Sequence, residues 1–400
     1  MRRATRIIRL CRAAAIGGAA IGALLLAPSL GGQVVAGQQT KGTAPAVSTP
    51  LATSVENSSG SWAALAMGHL DQPRNTFWQL FFRPSGGSHW SDVVEGTAVA
   101  TNGGLVLATP EGGSLLVGVL PSNLLRFSPL LSTADGGRTF TPALVLMNGL
   151  AARPNALSGG TNGHDLALVG SGTNTQVLQT APGLNSWQAL VSETHLASSA
   201  GGRSCGLVSI TAVAEIANQA VLGATCSDRG AVGILAMRNA SWRLVGPMLP
   251  HSLDSESVEV LGLRESGDGL ATLLAVSDGS ETSILGAWAS AGLAHWTISS
   301  AIRLGAGDRV VSFGPSAGLG WFVLAAKRSG SNSLEVLAST GSWTQLPTPP
   351  AQAATASFGP ANSVDVLGVS GTLMTDWRLV SSRWMKSQVI NVPIQYGSSG

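Results

Sequence analysis

The octet TADGGRTF, Thr133–Phe140, lies between two apolar segments and predicts a tight turn between antiparallel strands. An Asp side chain such as that of Asp135 accepts hydrogen bonds from backbone N–H groups two or three residues further on, and this closes a turn. Gly137 can adopt a positive φ without strain from a Cβ atom. We expect Phe140 to open the next strand and to pack its ring between sheets.

The same order of apolar strand, small-residue turn and aromatic residue recurs along the chain in degraded form. Phe140 marks one copy, and tryptophans mark the other six: Trp90, Trp187, Trp242, Trp296, Trp343 and Trp384. The steps between these aromatic residues run from 41 to 55 residues, and a second short apolar segment precedes each copy. Repeats of this length with about four short strands are typical of radially repeated β-sheets.

The octet resembles the Asp-box, or BNR repeat, of sialidase-like β-propellers, and the matching positions are Thr133, Asp135, Gly137, Thr139 and Phe140. This resemblance implies an all-β, seven-bladed propeller of four-stranded antiparallel blades over residues 61–395, with six or eight blades as alternatives. A pair of β-sandwiches and a right-handed β-solenoid are the other folds that fit. Only this copy keeps the acidic residue, so we expect Asp135 to form a turn and not to act in catalysis.

The N-terminal residues 1–36 have the composition of a secretory signal peptide. Five arginines precede the apolar segment Ala13–Ala27, and Val34-Val35-Ala36 offers small residues for cleavage. An uncleaved anchor formed by residues 13–36 is the alternative. Residues 37–60 are rich in Gln, Gly, Thr, Ser and Pro, which predicts a disordered linker. We therefore expect a secreted or otherwise extracytoplasmic protein.

Two of the three cysteines, Cys205 and Cys226, lie beyond the signal segment and flank two strands that we expect to form one hairpin. A disulfide between them suits an exported protein, and two unpaired buried thiols are the alternative. Removal of the five N-terminal arginines changes the net charge from +2 to −3, which argues against a nucleic-acid partner. Only the N-terminal anchor would contact a membrane, and we expect a monomer.

Most of the residue patterns that mark catalytic, metal-binding or phosphate-binding sites are absent from the sequence. Sialidases require a Tyr nucleophile, but the only tyrosine is Tyr396, close to the C-terminus. Phe82-Arg83-Pro84 matches the family's F/Y-R-I-P signature without its Ile and lies in the expected first C–D turn. The chain has no metal-ligand spacing, phosphate-binding loop or serine-nucleophile elbow. We therefore assign no catalytic residue, no metal site and no cofactor.

The expected binding face follows from the order of the strands, A to D, in a blade. The D–A and B–C loops lie opposite the C–D turns, and they are expected to carry ten charged or titratable residues: Arg153, His164, Asp165, Arg203, Asp228, Arg229, Asp278, Glu281, Lys327 and Arg328. We expect a non-catalytic binding or scaffold module for an unknown protein or glycan. A glycoside hydrolase of the sialidase-like superfamily that uses acids of this face is the alternative. An assembly factor similar to the Asp-box propellers of photosynthetic complexes is the third hypothesis.

Overall fold

The computed structural model describes most of the chain from residue 52 to residue 393. The described segments are 52–70, 76–93, 103–110, 113–120, 128–140, 149–150, 152, 154–160, 164–180, 186–250, 253, 257–266, 269–278, 281–290, 292–316, 320–338, 340–359 and 363–393. The predicted signal segment and Tyr396 lie outside these residues.

The described strands follow one another in groups of four, which we call meanders one to seven. Meander one contains β1 (Ala52–Asn57), β2 (Gly60–Gly68), β3 (Thr76–Pro84) and β4 (Ser91–Val93). Meander two contains β5 (Gly104–Ala108), β6 (Leu115–Leu120), β7 (Ser128–Thr133) and β8 (Gly149–Leu150). Meander three contains β9 (Pro154–Ser158), β10 (Leu166–Val169), β11 (Gln176–Thr180) and β12 (Trp187–Ser192). Meander four contains β13 (Leu207–Ile216), β14 (Gln219–Cys226), β15 (Gly233–Arg238) and β16 (Ser241–Leu244).

The remaining meanders continue the pattern. Meander five contains β17 (Ser257–Ser266), β18 (Gly269–Ser277), β19 (Thr282–Ala289) and a fourth strand split into β20 (Trp296–Ile298) and β21 (Ile302–Leu304). Meander six contains β22 (Arg309–Pro315), β23 (Trp321–Ala326), β24 (Asn332–Leu337) and β25 (Trp343–Gln345). Meander seven contains β26 (Ala353–Gly359), β27 (Ser363–Ser370), β28 (Leu373–Val380) and β29 (Arg383–Asn391).

Within each meander successive strands pair antiparallel, with β20 and β21 both paired to β19, which confirms the predicted all-β fold of four-stranded antiparallel sheets. Meanders four and five are joined into one nine-stranded sheet through the single pair Cys226 and Val258. The number of seven blades therefore stays a prediction, because hydrogen bonding alone does not separate these two units.

Apolar side chains fill the space between successive meanders. Separate clusters lie between each meander and the next, and a further cluster lies between meander seven and meander one. In this last cluster Leu65 and Phe81 pack with Leu367 and Met374. The first and last meanders are therefore neighbours, and each sheet buries apolar residues on both faces.

Two-residue turns shape several of the hairpins. Ala217 and Asn218 both have positive φ, of 47° and 62°, between β13 and β14. Asn239 and Ala240 repeat this geometry between β15 and β16. Two consecutive residues with positive φ form the turn whose twist matches that of antiparallel strands.

The octet forms the turn that the sequence predicts. Asp135 accepts hydrogen bonds from the Thr139 backbone N–H at 3.0 Å and from its hydroxyl at 2.6 Å, and these bonds hold the pKa of Asp135 at about 2. Gly137 has a φ of 80°, and a Cβ atom there would lie 2.7 Å from the Val93 side chain in meander one. Phe140 packs against the cluster between meanders one and two, but it is not part of a strand as we expected.

The repeated tryptophans connect neighbouring meanders. The indole N–H groups of Trp296, Trp343 and Trp384 donate hydrogen bonds of 2.7 to 2.9 Å to backbone carbonyls of the preceding meander. Trp90 and Trp242 are buried, and Trp187 is half-buried. The aromatic residue of each copy therefore lies near the boundary between sheets, because its ring is large enough to fill that gap.

Two boundaries differ from the sequence-based expectation. The predicted linker 37–60 overlaps β1, because Ala52–Asn57 pairs along its whole length with β2. The connection between β12 and β13 contains two short helices, α1 (Glu193–Ser198) and α2 (Ala200–Arg203), which the sequence analysis did not predict. The disulfide is confirmed: Cys205 and Cys226 are bonded beside the β13–β14 hairpin, with their Cα atoms 5.3 Å apart.

Candidate functional site

The antiparallel order of each meander places its connections at two opposite ends of the strands. The A–B and C–D connections lie at one end, which we call the turn face, and the B–C and D–A connections lie at the other, which we call the loop face. Seven of the ten predicted residues do lie in B–C or D–A connections: Arg203, Asp228, Arg229, Asp278, Glu281, Lys327 and Arg328. Arg153 lies outside the described residues.

Our prediction placed His164 and Asp165 on the wrong face. They follow the first strand of meander three, β9, and precede its second strand, β10, so they belong to an A–B connection on the turn face. The error arose because the short strand β9, Pro154–Ser158, was not recognised in the sequence. Its proline and asparagine are uncommon in strands.

Charged residues of the loop face form a patch over meanders five and six. Glu281 lies 3.9 Å from Arg303, and its backbone N–H donates a 2.8 Å hydrogen bond to Asp278. In meander six, Asp308 forms an ion pair of 3.3 Å with Lys327. With Arg328, this set of three acidic and three basic residues is the rim patch: Asp278, Glu281, Arg303, Asp308, Lys327 and Arg328.

Asp308 is the best-ordered carboxylate of the rim patch. Its side chain accepts backbone N–H hydrogen bonds from Arg328 at 2.9 Å and from Gly305 at 3.1 Å. Partial burial would raise the pKa of Asp308, but these bonds and the Lys327 charge outweigh it and hold the pKa below its usual value. The sequence analysis did not select Asp308, although its place in a Gly-Ala-Gly-Asp turn was visible.

The turn face contains a second group of acids, near the ends of the first strands. Asp165 and Glu215 are each only 4% exposed. Burial raises the pKa of Glu215 to about 7, and the negative charges of Asp165 and Glu265 add to the effect. Burial also raises the pKa of Asp165, against a hydrogen bond from the Gly160 backbone N–H.

Glu215 belongs to a repeated position that the sequence analysis missed. Glu56, Glu215 and Glu265 each lie one residue before the last pair of their A–B hairpin, in meanders one, four and five. Alignment of the first strands of the repeats would have shown this recurrence. The repeat signals in the sequence come from the second, third and fourth strands, with the tryptophans at or beside the fourth.

Arg83 joins meander one to meander seven on the turn face. It lies at the end of β3, not in the turn that follows as we expected, and it forms a buried ion pair with Asp365 of β27. Its guanidinium also donates hydrogen bonds to the hydroxyls of Ser61 and Ser357, at 3.2 and 3.1 Å. The Arg83 side chain is 3% exposed. The match of Phe82-Arg83-Pro84 to the sialidase signature is therefore explained by a structural role of Arg83 and not by substrate binding.

The described part of the chain contains neither a cluster of metal-ligating side chains nor a membrane-spanning helix. No group of three or more His, Cys, Asp or Glu side chains there is arranged to hold a metal ion. No helix among the described residues is both long and apolar enough to cross a bilayer.

Comparison with solved structures finds matches over most of the chain at low sequence identity. A protein from Lactobacillus plantarum superposes with a TM-score of 0.52 at 11% identity, covering 82% of this chain and 96% of that one. The BP39L lectin from Burkholderia pseudomallei superposes with a TM-score of 0.51 at 14% identity, covering 86% and 98%. A six-bladed β-propeller lectin from Aleuria aurantia aligns with a TM-score of 0.40 at 13% identity, over 86% and 96%.

The fold is a β-propeller. No protein-family model matches the chain, and no curated protein matches it either. The resemblance to the Asp-box family therefore stays a prediction, as does the number of blades.

Proposed function

We propose that this protein is an exported, non-catalytic propeller that binds a glycan through the rim patch. The observation that carries this proposal is the group of three acidic and three basic side chains over meanders five and six, in which Asp278 and Asp308 are held by hydrogen bonds. Hydrogen bonds within the loops already orient Asp308 and Asp278, so less conformational entropy is lost when a ligand binds.

A glycan suits this set of groups better than an apolar ligand does. Sugar hydroxyls both donate and accept hydrogen bonds, so neighbouring carboxylates and cationic side chains can satisfy them together. Protein interfaces depend more often on clustered aromatic and apolar anchors. The described residues of the rim patch are all charged, and Arg328, Glu281 and Arg303 are exposed.

The BP39L lectin supports the proposal only through its fold. The BP39L protein is a lectin of similar architecture, and its identity of 14% carries no binding residue over to this chain. Export is supported by the basic and apolar composition of residues 1–36 and by the Cys205–Cys226 bond, since disulfides persist in oxidising compartments.

A glycan array probed with the purified full chain tests the proposal. We expect binding to a restricted set of glycans, and Arg328→Ala and Glu281→Gln should each weaken it. Loss of a hydrogen bond to a charged group costs about 1.5–3 kcal/mol, or roughly 10-fold to 100-fold in affinity. Arg229→Ala removes an exposed arginine of the same face outside the rim patch and should leave affinity unchanged. Absence of glycan binding, or equal losses in all three variants, would refute the proposal.

A glycoside hydrolase is the second candidate, and the pair Asp165 and Glu215 is the observation that favours it. Glycosidases use two carboxyl groups, one of which holds a proton at neutral pH. Their burial argues against this role, because a catalytic acid must contact its substrate. Assays with a panel of chromogenic glycosides decide the question. Turnover that disappears in Glu215→Gln would replace the binding function with a catalytic one.

A further inference from the structure

The carboxylate of Glu215 is buried without a partner. Neither of its oxygens has a hydrogen-bond partner among the described residues, and the residue is 4% exposed. Its backbone N–H is satisfied by the Ser158 hydroxyl at 3.2 Å, so the strand itself is well anchored. A buried carboxylate left in this state costs several kcal/mol unless a proton or a cation neutralises it.

The oxygens of Glu215 and His164 converge beside Gly160. A Cβ atom added at Gly160 would lie 1.8 Å from Glu215 Oε2 and 2.2 Å from the His164 carbonyl oxygen. The two oxygens are therefore no farther apart than the sum of these distances. Two oxygen acceptors at such a separation repel each other unless something positive lies between or beside them.

Asp165 brings a second carboxylate to the same glycine. Its Oδ1 accepts the Gly160 N–H at 3.1 Å, so Asp165 and Glu215 flank one residue from two sides. The charges that act on Glu215 are those of Asp165 and Glu265, and both are negative. Among the described residues, the positive charge of His164 acts on Asp165, but no cationic side chain acts on Glu215 in the way that normally accompanies a buried acid.

We propose that a hard divalent cation of the calcium type binds here, between meanders three and four, held by the carboxylates of Glu215 and Asp165 and the main-chain carbonyl of His164. All three donors are oxygens, which calcium prefers, and water completes its six to eight ligands. The described residues contain no group of three metal-ligating side chains. The proposed site agrees with this finding, because only two of its three protein donors are side chains and the third is a backbone oxygen.

The cation would act as a structural link. Glu215 belongs to strand β13, and Asp165 and His164 belong to the connection between β9 and β10. A bound ion therefore ties the first strand of meander four to the turn face of meander three. The site is on the opposite face from the rim patch, and the inference does not depend on glycan binding.

Calcium binding to the purified full chain tests this inference. Titration calorimetry with CaCl₂ alone at neutral pH should show one ion per chain, with a Kd of about 10⁻⁴ to 10⁻³ M, the range of extracellular calcium modules. Thermal unfolding should move to higher temperature with added CaCl₂ and return with EDTA. At 100 times the Kd, the folded-to-unfolded ratio should rise about 100-fold.

Two variants and a matched control separate this site from general effects. Glu215→Gln and Asp165→Asn should each weaken calcium binding by at least about 10-fold. Glu259→Gln removes a different glutamate whose pKa is raised by burial, on the first strand of meander five, and should bind calcium as the parent does. No heat and no thermal shift in the parent at about 10 mM CaCl₂ would overturn the inference. Unchanged calcium binding in Glu215→Gln would overturn it too. If a variant does not fold, the titration of the parent protein still tests the inference.

Discussion

The ion pair between Arg83 and Asp365 joins the first and last meanders, and its loss should destabilise the whole propeller. The two side chains are 3% and 0% exposed. Arg83 also stacks its guanidinium over Trp90 at 4.8 Å, and Asp365 accepts a second hydrogen bond from Arg378 Nε at 2.8 Å. The perturbation is Arg83→Met, which keeps the length of the side chain and removes its charge and its donors.

The magnitude follows from burial. Removal of one partner of a buried ion pair costs about 3–5 kcal/mol, because the other charge stays buried. Arg378 still compensates Asp365, so we expect the lower end, about 3 kcal/mol, for Arg83→Met. The total stability of a folded protein is about 5–15 kcal/mol, so this loss is a large fraction of it. Arg83→Met with Asp365→Leu should lose less than the sum of the single changes, because the Asp365 carboxylate is no longer left buried without Arg83.

Urea unfolding measures these differences through the midpoint at constant m-value. The matched control is Lys327→Met, which breaks the Lys327–Asp308 pair of the loop face. Those side chains are 31% and 13% exposed, so we expect a loss of only about 1 kcal/mol or less. Equal losses for Arg83→Met and Lys327→Met, or strictly additive effects in the double variant, would refute the reasoning that burial makes the Arg83 pair important.

Three further predictions concern titration and the disulfide. Burial raises the pKa of Asp376 from 3.8 to about 6. The folded state therefore binds more protons than the unfolded state between these pH values, and stability falls as pH rises through this range. Asp376→Asn should abolish that fall in urea unfolding and increase stability by up to about 3 kcal/mol above pH 6. Replacement of both Cys205 and Cys226 by alanine should cost about 3 kcal/mol and make thermal unfolding insensitive to reductant, whereas a reductant-sensitive variant would contradict this. Thr139→Val should raise the pKa of Asp135 from about 2 towards 3.8 in an NMR titration, and an unchanged value would show that other bonds hold it.

The fold was predictable because its signals are local. The octet at residues 133–140 contains its own turn-closing bonds, and the tryptophans recur at near-constant spacing. The third and fourth strands therefore lie at the predicted repeat positions, except in meander two, where Phe140 lies outside a strand. The first strand of meander three and the strand at Ala52–Asn57 were missed because both are short and bounded by small polar residues.

The candidate sites were harder to predict because their residues come from separate repeats. Asp165 and Glu215 are 50 positions apart, and they meet at Gly160 only when meanders three and four pack together. One missed strand, β9, was enough to move Asp165 to the wrong face, since each added strand reverses the direction of the chain. The rim patch was found in part, with Asp308 and Arg303 missing.

The sequence by itself determined the local structure of this protein: the turn at Asp135, the tryptophan spacing, the paired cysteines and the four-stranded repeat. Residue type and spacing along the chain are enough to specify these features, without knowledge of which repeats pack together. Tertiary structure decided the partners of the buried charges. Arg83 faces Asp365 across the junction of the first and last meanders, and Glu215 lies near two acids and the His164 carbonyl. The physical reason is burial. Water weakens the interaction between distant charges, and when packing removes the water, the partner of each buried charge decides its contribution to stability.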